Sequence, residues 1–277
     1  MVAYDGTAYS GWQIQPSRPT VQGLLVAAAR PLLGDDLRLV GASRTDAGVH
    51  ALRQTVSIRA PRAVPGDVVV RALNAALPRD VRVLACEAAD PAFDARRAAT
   101  GKRYGYLLQD GAVPTPFLLR YAWHVPVPLD VATMRRSLAA LRGRHDFSAF
   151  RAASGREHPP TCIIRALHVF RRRDRITLFV SADRFLHHMV RNIVGSAVEV
   201  GRGARPPAWL ADVLASGDRR RAGPTAPAHG LTLIRVMYSE GGSRPLPTAE
   251  ERAVRPAPRP ASPGTGLRRQ SRRSNHC

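Results

Sequence analysis

Hydrophobic and polar positions along this chain switch between a period near 3.6 and a period of 2, which predicts a succession of helices and strands. Residues 2–5 carry the end of a strand. Thr20 caps a helix through Val21-Gln22-Gly23-Leu24-Leu25-Val26, its hydroxyl placed to accept a free amide of the first turn. Pro31 should end or kink that helix, because it lacks an N–H and clashes with the preceding turn. Residues 37–40 and 54–58 alternate as half-buried strands with a polar loop between them. Asp67 caps a second helix to Ala76, which stops before Pro78. Residues 81–86 alternate again.

The order then recurs. Residues 102–108 read as a strand, and Asp130 caps a helix carrying Met134, Leu138 and Leu141. Residues 163–170 and 176–181 make a hairpin around Arg173-Asp174. A helix at about 184–200, a short one at 209–214 and a last strand at 231–238 follow. Two strand–helix–strand–strand–helix–strand halves predict an α+β fold with mainly antiparallel sheet, divided into subdomains 1–98 and 99–240. From residue 241 the chain turns to Pro, Arg, Ser and Gly without apolar periodicity. That composition cannot bury enough surface to offset chain entropy, so 241–277 is expected to be disordered.

Composition narrows the function classes. With 277 residues, 44% hydrophobic and 23% charged, the chain can bury a core in one large domain or two modest ones. No apolar run approaches the roughly 20 residues of a membrane helix, nor is there a basic-then-apolar leader, so a cytoplasmic protein is expected. Cys86, Cys162 and Cys277 are far apart and contain no CxxC pair. They suit neither a disulfide framework nor a zinc site; Cys86 and Cys162 read as strand residues and Cys277 as part of the tail.

Charge points to a partner. Lys+Arg 42 against Asp+Glu 21 gives a net +21. Removing the net +6 of residues 241–277, eight arginines and two glutamates, leaves +15 on the body. Such a field attracts polyanions, nucleic acid foremost. Lys102 is the only lysine, so coding bias toward arginine is a competing source of the charge. Arg96, Arg97, Lys102, Arg103, Arg142, Arg144, Arg151 and Arg156 could line an RNA track.

The densest polar cluster is the loop Gly41-Ala42-Ser43-Arg44-Thr45-Asp46-Ala47-Gly48-Val49-His50-Ala51. It joins two strands, where a scaffold commonly presents functional groups. Arg44 and Asp46, two apart in an extended stretch, point the same way. The guanidinium would then sit beside a carboxylate that could act as nucleophile or base. By itself an Arg-x-Asp loop reads more readily as a turn cap with a surface ion pair. The predicted helix at 184–200 adds His187 and His188. Adjacent helical residues are about 100° apart, and no HExxH or nearby cysteine completes a site, so no metal is expected. His187 with Arg191 and His188 with Asn192 share faces at i, i+4, beside Met189, Ile193 and Val198. That face suits active-site support or contact with RNA phosphate. No Gly-rich phosphate loop is present, which argues against a nucleotide cofactor.

The run Ser43-Arg44-Thr45-Asp46-Ala47-Gly48-Val49-His50-Ala51 resembles the catalytic loop of the TruA family of tRNA pseudouridine synthases. Further pieces match in order: Tyr4-Asp5-Gly6-Thr7 with Ser10-Gly11-Trp12-Gln13, Thr20-Val21-Gln22, and Leu73-Asn74-Ala75-Ala76-Leu77-Pro78. Phe93-Asp94-Ala95-Arg96, Lys102-Arg103-Tyr104-Gly105-Tyr106 and Asp146-Phe147-Ser148-Ala149-Phe150 follow, then Leu186-His187-His188-Met189-Val190-Arg191-Asn192-Ile193-Val194-Gly195. The resemblance spans about residues 2–239.

It implies the pseudouridine synthase fold and isomerisation of uridine in the tRNA anticodon stem-loop, at positions 38 to 40, without a cofactor. It implies Asp46 as the essential carboxylate, Arg44 as the residue that orients it and fills the space left by a flipped-out nucleotide, and Tyr104 as the active-site tyrosine. Substrate contacts are expected from Tyr104, Arg96, Arg103, His187, Arg191 and Asn192, and a homodimer is expected. Four departures stand out. Only two residues precede Ala3, where the family carries a longer first strand. Asp94 stands where the family has His, and Arg97-Ala98-Ala99 where it has Phe-Ser-Ala. The tail has no family counterpart. A non-catalytic basic RNA-binding protein is the main alternative. A carboxylate-dependent hydrolase is a third reading, weakened by the lack of a second carboxylate in the loop.

Overall fold

The computed structural model describes residues 1–152 and 159–239; Arg156, the tail expected to be disordered and Cys277 lie outside the described residues. In the first half the chain runs β1 (Val2–Tyr4), α1 (Val21–Leu33), β2 (Arg38–Gly41), β3 (His50–Gln54), β4 (Val56–Arg59), α2 (Gly66–Ala76) and β5 (Val81–Val83). The second half runs β6 (Gly101–Asp110), β7 (Trp123–Val125), α3 (Val131–Ala139), β8 (Gly143–Asp146), β9 (Thr161–Arg172) and β10 (Arg175–Ala182). It ends with α4 (Met189–Gly201), α5 (Trp209–Ser216) and β11 (Leu231–Met237). No helix among the described residues is long and apolar enough to cross a membrane.

Local chemistry explains several of these boundaries. Thr20 caps α1, its Oγ1 accepting from the Gly23 amide at 3.3 Å, and Asp130 caps α3 by accepting from the Thr133 amide at 3.0 Å. Pro31 neither ends α1 at once nor breaks it: the helix runs on to buried Leu33. One lost N–H in a last turn is tolerated there, and the Gly34 amide closes the end on the Arg30 carbonyl. Asp67 does not cap α2. Pro65 holds the cap position, and Asp67 sits in the first turn, paired with Arg71 at 2.8 Å across i, i+4.

One nine-stranded sheet carries the fold, in the order β5-β1-β3-β11-β6-β10-β9-β8, with β7 beside the far end of β6. Pairing is antiparallel except for β11 with β3 and β7 with β6. β11 joins the strands from either side of residue 98, lying between β3 and β6. β2 and β4 form a separate two-stranded ribbon. The sequence reading placed the polar loop between residues 40 and 54. The chain instead enters β3 at His50, so the loop is shorter and both its ends are anchored in strands. Residues 84–86 lie beyond β5, so Cys86 is not a strand residue, whereas Cys162 is buried in β9.

α4 is buried nearly all round, with Arg191 and Glu199 the two positions left half-buried. It begins at Met189 and not near 184. His188 takes a left-handed conformation (φ 60°), which ends the helical path toward His187. The two histidines therefore lie ahead of the helix and not along its face at i, i+4 spacing. α4 packs so closely on the following segment that a Cβ on Gly195 would lie 1.7 Å from the Pro224 carbonyl oxygen. Gly195→Ala should force helix and segment apart. The expected loss is roughly 1–3 kcal/mol, on the scale of overpacked cores, read as a fall of several degrees in Tm. An unchanged Tm would show that the segment yields freely.

Candidate active site

Loop 42–49 is braced from both sides by backbone and side-chain contacts. The Trp12 amide donates to the Thr45 carbonyl at 3.0 Å, and the Gly48 amide to the Tyr9 carbonyl at 3.3 Å. The Gln54 side chain grips Ser43 on both sides: Oε1 accepts from the Ser43 amide at 3.1 Å and Nε2 donates to its carbonyl at 2.6 Å. Tyr4 Oη and Thr45 Oγ1 share a hydrogen bond of 2.8 Å. Gly48 turns the chain at φ 78°, a region in which a side chain is strained. These contacts explain why the Tyr4–Gln13 pieces accompany the loop in the sequence.

The bracing buries Ser43 and Thr45 and leaves Arg44 and Asp46 toward solvent. Both line a cavity of about 610 Å³, yet no ion pair joins them among the described residues. The cation on Asp46 is Arg191, its guanidinium 3.2 Å from Oδ2. Arg191 is itself held, donating from Nε to the Ala226 carbonyl at 2.7 Å. His187 and His188 approach the same carboxylate, with Nε2 atoms 3.5 Å from Oδ1 and 3.3 Å from Oδ2. The turn at His188 brings the two rings to 4.0 Å, undoing the argument that adjacent histidines must diverge.

Among the described residues, Asp46, His187 and His188 are the cluster that could hold a metal ion, their ligand atoms lying within 4.8 Å of one another. Arg191 already occupies one carboxylate oxygen, so a cation there would compete with a fixed guanidinium. Burial pulls the His188 imidazole below its ordinary range; Asp46 opposes this, while His187, Arg191 and Arg219 add to it. His188 therefore faces Asp46 as a neutral ring at neutral pH.

Tyr104 forms the apolar wall with Phe185, edge to face at 5.1 Å. Its phenol shares a 2.8 Å hydrogen bond with Ser43 Oγ. Burial pushes the phenol up to about 12; the Ser43 contact opposes this and the Asp46 charge reinforces it. The hydroxyl therefore stays protonated at neutral pH, able to donate a hydrogen bond but not to act as phenolate.

Of the expected contact residues, Asp46, Arg44, Tyr104, Arg96, His187 and Arg191 meet at the cavity. Arg103 does not. Alternation along β6 sends it to the other face, where Nε donates to Ser181 Oγ at 3.0 Å. Asn192 is fully buried and structural, donating to the Phe150 carbonyl at 2.8 Å and accepting from Thr225 and Arg219. Sequence reasoning missed Phe185 as a cavity residue; it set His188 and Arg191 on a face for active-site support or RNA phosphate but did not find Asp46 as what they meet. Asp94, the departure from the family pattern, accepts the Arg96 and Arg97 amides at 2.8 and 2.9 Å and shapes that turn.

A family model described as tRNA pseudouridine synthase matches residues 1–96 and 138–239. Similar proteins include the tRNA pseudouridine synthase A of Myxococcus xanthus, 46% identical over 240 residues, covering 86% of this chain and 90% of that protein. That of Moorella thermoacetica is 43% identical over 86% of this chain and 97% of its own. That of Paramagnetospirillum magneticum is 42% identical over 90% and 97%.

The electrostatic effect of Arg191 on His188 is open to titration. Arg191→Met removes a cation that disfavours the imidazolium and frees a carboxylate that favours it. Both effects have the same sign, so the His188 midpoint should move upward. An NMR titration of the histidine ring protons reads this. A midpoint that stays put or falls would mean that Arg191 does not govern the cluster.

Proposed function

The chain belongs to the tRNA pseudouridine synthase family, and we propose from that premise that it acts on the anticodon stem-loop, at positions 38 to 40, with Asp46 as the catalytic carboxylate. The activity is conversion of tRNA uridine to pseudouridine. One observation carries the assignment of Asp46: it is the carboxylate that Arg191 fixes at the wall of a cavity which also holds Tyr104.

The reaction breaks the C1′–N1 bond of uridine and forms C1′–C5, while the C5 proton is lost and N1 gains one. The target base must leave its stack to reach such a cavity. Tyr104 and Phe185 offer the aromatic face on which a flipped uracil stacks. Asp46 then works at the sugar or the base, as nucleophile or as base, with Arg191 holding its orientation through both halves of the reaction. The cation-lined mouth suits phosphate, in keeping with the net +15 of the body. The residues in these roles complete the chemistry without a cofactor. The same reading places the enzyme in the cytoplasm, with its tRNA.

A homodimer belongs to this reading. What supports it is the stretch after β6, where Val113 and Phe117 are 80% and 88% exposed and Leu119 is 55% exposed. Large apolar groups in that density mark a surface that association would cover. Sedimentation at micromolar concentration should give twice the chain mass, and Phe117→Asp should lower it; a wild-type monomer would remove the dimer from the account.

Unmodified tRNA, incubated with purified protein and mapped chemically for pseudouridine, tests the assignment. Asp46→Asn keeps the shape of the loop but supplies neither nucleophile nor useful base. Turnover should fall by more than the roughly 10²–10⁴-fold typical of lost general acid–base help, with RNA binding retained. Tyr104→Phe keeps the ring and should stay active within about tenfold, since stacking and not proton transfer is its role. Near-normal pseudouridine formation by Asp46→Asn would sink the assignment.

A further inference from the structure

Two cations at the cavity wall have no ion-pair partner among the described residues. Lys102 lies two residues from Tyr104 on the same face of β6, half-buried and turned into the cavity. Among the described residues its ammonium has no carboxylate partner and no hydrogen-bond acceptor. Burial, with the charge of Arg96 added, pulls it down to about 8. A cation withdrawn from water without a partner is unfavourable unless a ligand supplies the missing charge.

Arg96 stands beside it on a fixed turn. Its amide donates to Asp94, the neighbouring Ala95 amide donates to Ser57 Oγ at 3.2 Å, and the Tyr238 hydroxyl donates to the Ala95 carbonyl at 2.8 Å. Its guanidinium is exposed and borders both the Asp46 cavity and an adjoining one of about 320 Å³ that Arg38 and Arg97 also line. Asp94 and Asp183 also border these cavities, but Asp94 accepts the Arg96 and Arg97 amides and Asp183 the Ile163 and Arg184 amides. Two positive groups close enough to disfavour each other suit an anion with more than one oxygen. A neutral uracil carbonyl would leave the pair's charge unanswered.

We infer that Lys102 and Arg96 form a phosphate subsite that holds the backbone phosphodiester beside the nucleotide whose base enters the cavity. The inference rests on the tRNA reading above and adds to it the group that anchors the flipped nucleotide. Lys102 is thus a substrate-positioning residue. Its ammonium answers one phosphate oxygen and Arg96 another, at the boundary between the Asp46 cavity and the groove beyond.

The test couples protein and RNA changes. A synthetic, unmodified anticodon stem-loop carries one neutral methylphosphonate at a time around the target uridine. Its binding is measured to the full-length wild type and to the Lys102→Gln, Lys102→Arg and Arg96→Gln variants. One methylphosphonate should weaken wild-type binding by about tenfold to a hundredfold, the scale of a charged hydrogen bond. In Lys102→Gln the same replacement should lose much of its effect, the remainder belonging to Arg96, as for partners partly uncoupled. Lys102→Arg should keep the sensitivity. Arg96→Gln, on an exposed side chain, should lose much of it even where Lys102→Gln folds poorly. Equal penalties in wild type and both Gln variants would overturn the subsite, as would a fall in kcat with affinity unchanged. Pseudouridine is mapped in the same samples. Isomerisation without coupling removes the subsite and leaves the function standing; coupling without isomerisation does the reverse.

Discussion

The ion pair between Asp46 and Arg191 is the contact on which the site depends, because it joins two parts of the chain that nothing local brings together. Asp46 lies on a loop between β2 and β3, and Arg191 lies in the first turn of α4. Neither side is free to drift. The loop is tied to the Tyr9–Trp12 segment and to Gln54, and Arg191 is tied to the Ala226 carbonyl. A half-buried carboxylate left without its cation is costly, so the pair also fixes how α4 sits against the loop. The tight seat of Gly195 on Pro224 is part of the same constraint. It sets the depth at which the helix enters, and with it the position of Arg191.

This arrangement separates the roles of charge in a strongly basic protein. Arg191 is consumed by Asp46 and offers little to an incoming anion. Lys102, Arg96 and Arg44 stand at the same cavity without such partners and remain available. The field that attracts RNA is therefore not the field that fixes the carboxylate. His188 adds to the distinction: neutral at working pH, it fills space beside Asp46 without neutralising it. A protonated imidazole there would compete with Arg191 for the same oxygen.

Features written in local chemistry were legible in the sequence. The caps at Thr20 and Asp130, the β9–β10 hairpin and the loop around Asp46 depend on neighbours a few residues away. Other features depend on tertiary packing. β3 shows little alternation, since polar His50 is buried beside Ala51 while apolar Leu52 is exposed, so its sequence reads as part of the loop. The partner of Asp46 lies 145 residues away and cannot be found by period or spacing. A clue existed all the same: Arg191 is the cation in the first turns of an otherwise apolar helix, and such a residue needs a counter-charge. His188 misled for a different reason. A left-handed residue at a helix start is a backbone decision, and the surrounding pattern of side chains is compatible with one more turn of helix.

β6 shows how a strand can divide basic residues between roles. Lys102, Arg103 and Tyr104 are consecutive, and the two-residue period sends the first and third to the cavity and the second to the opposite face. A slip of one residue would place Arg103 in the cavity and remove both Tyr104 and Lys102. The strand cannot slip easily. β10 pairs with it from Lys102 to Gln109 on one side, and β11 pairs with Gly101 to Tyr106 on the other. Tyr106 adds a stop, its hydroxyl donating to the Pro227 carbonyl at 2.7 Å. Pro227 belongs to the segment that also carries Ala226, the acceptor for Arg191. The register that selects Lys102 and Tyr104 and the contact that holds the Asp46 partner thus end on adjacent residues of one segment. A change in either reaches the other through two hydrogen bonds.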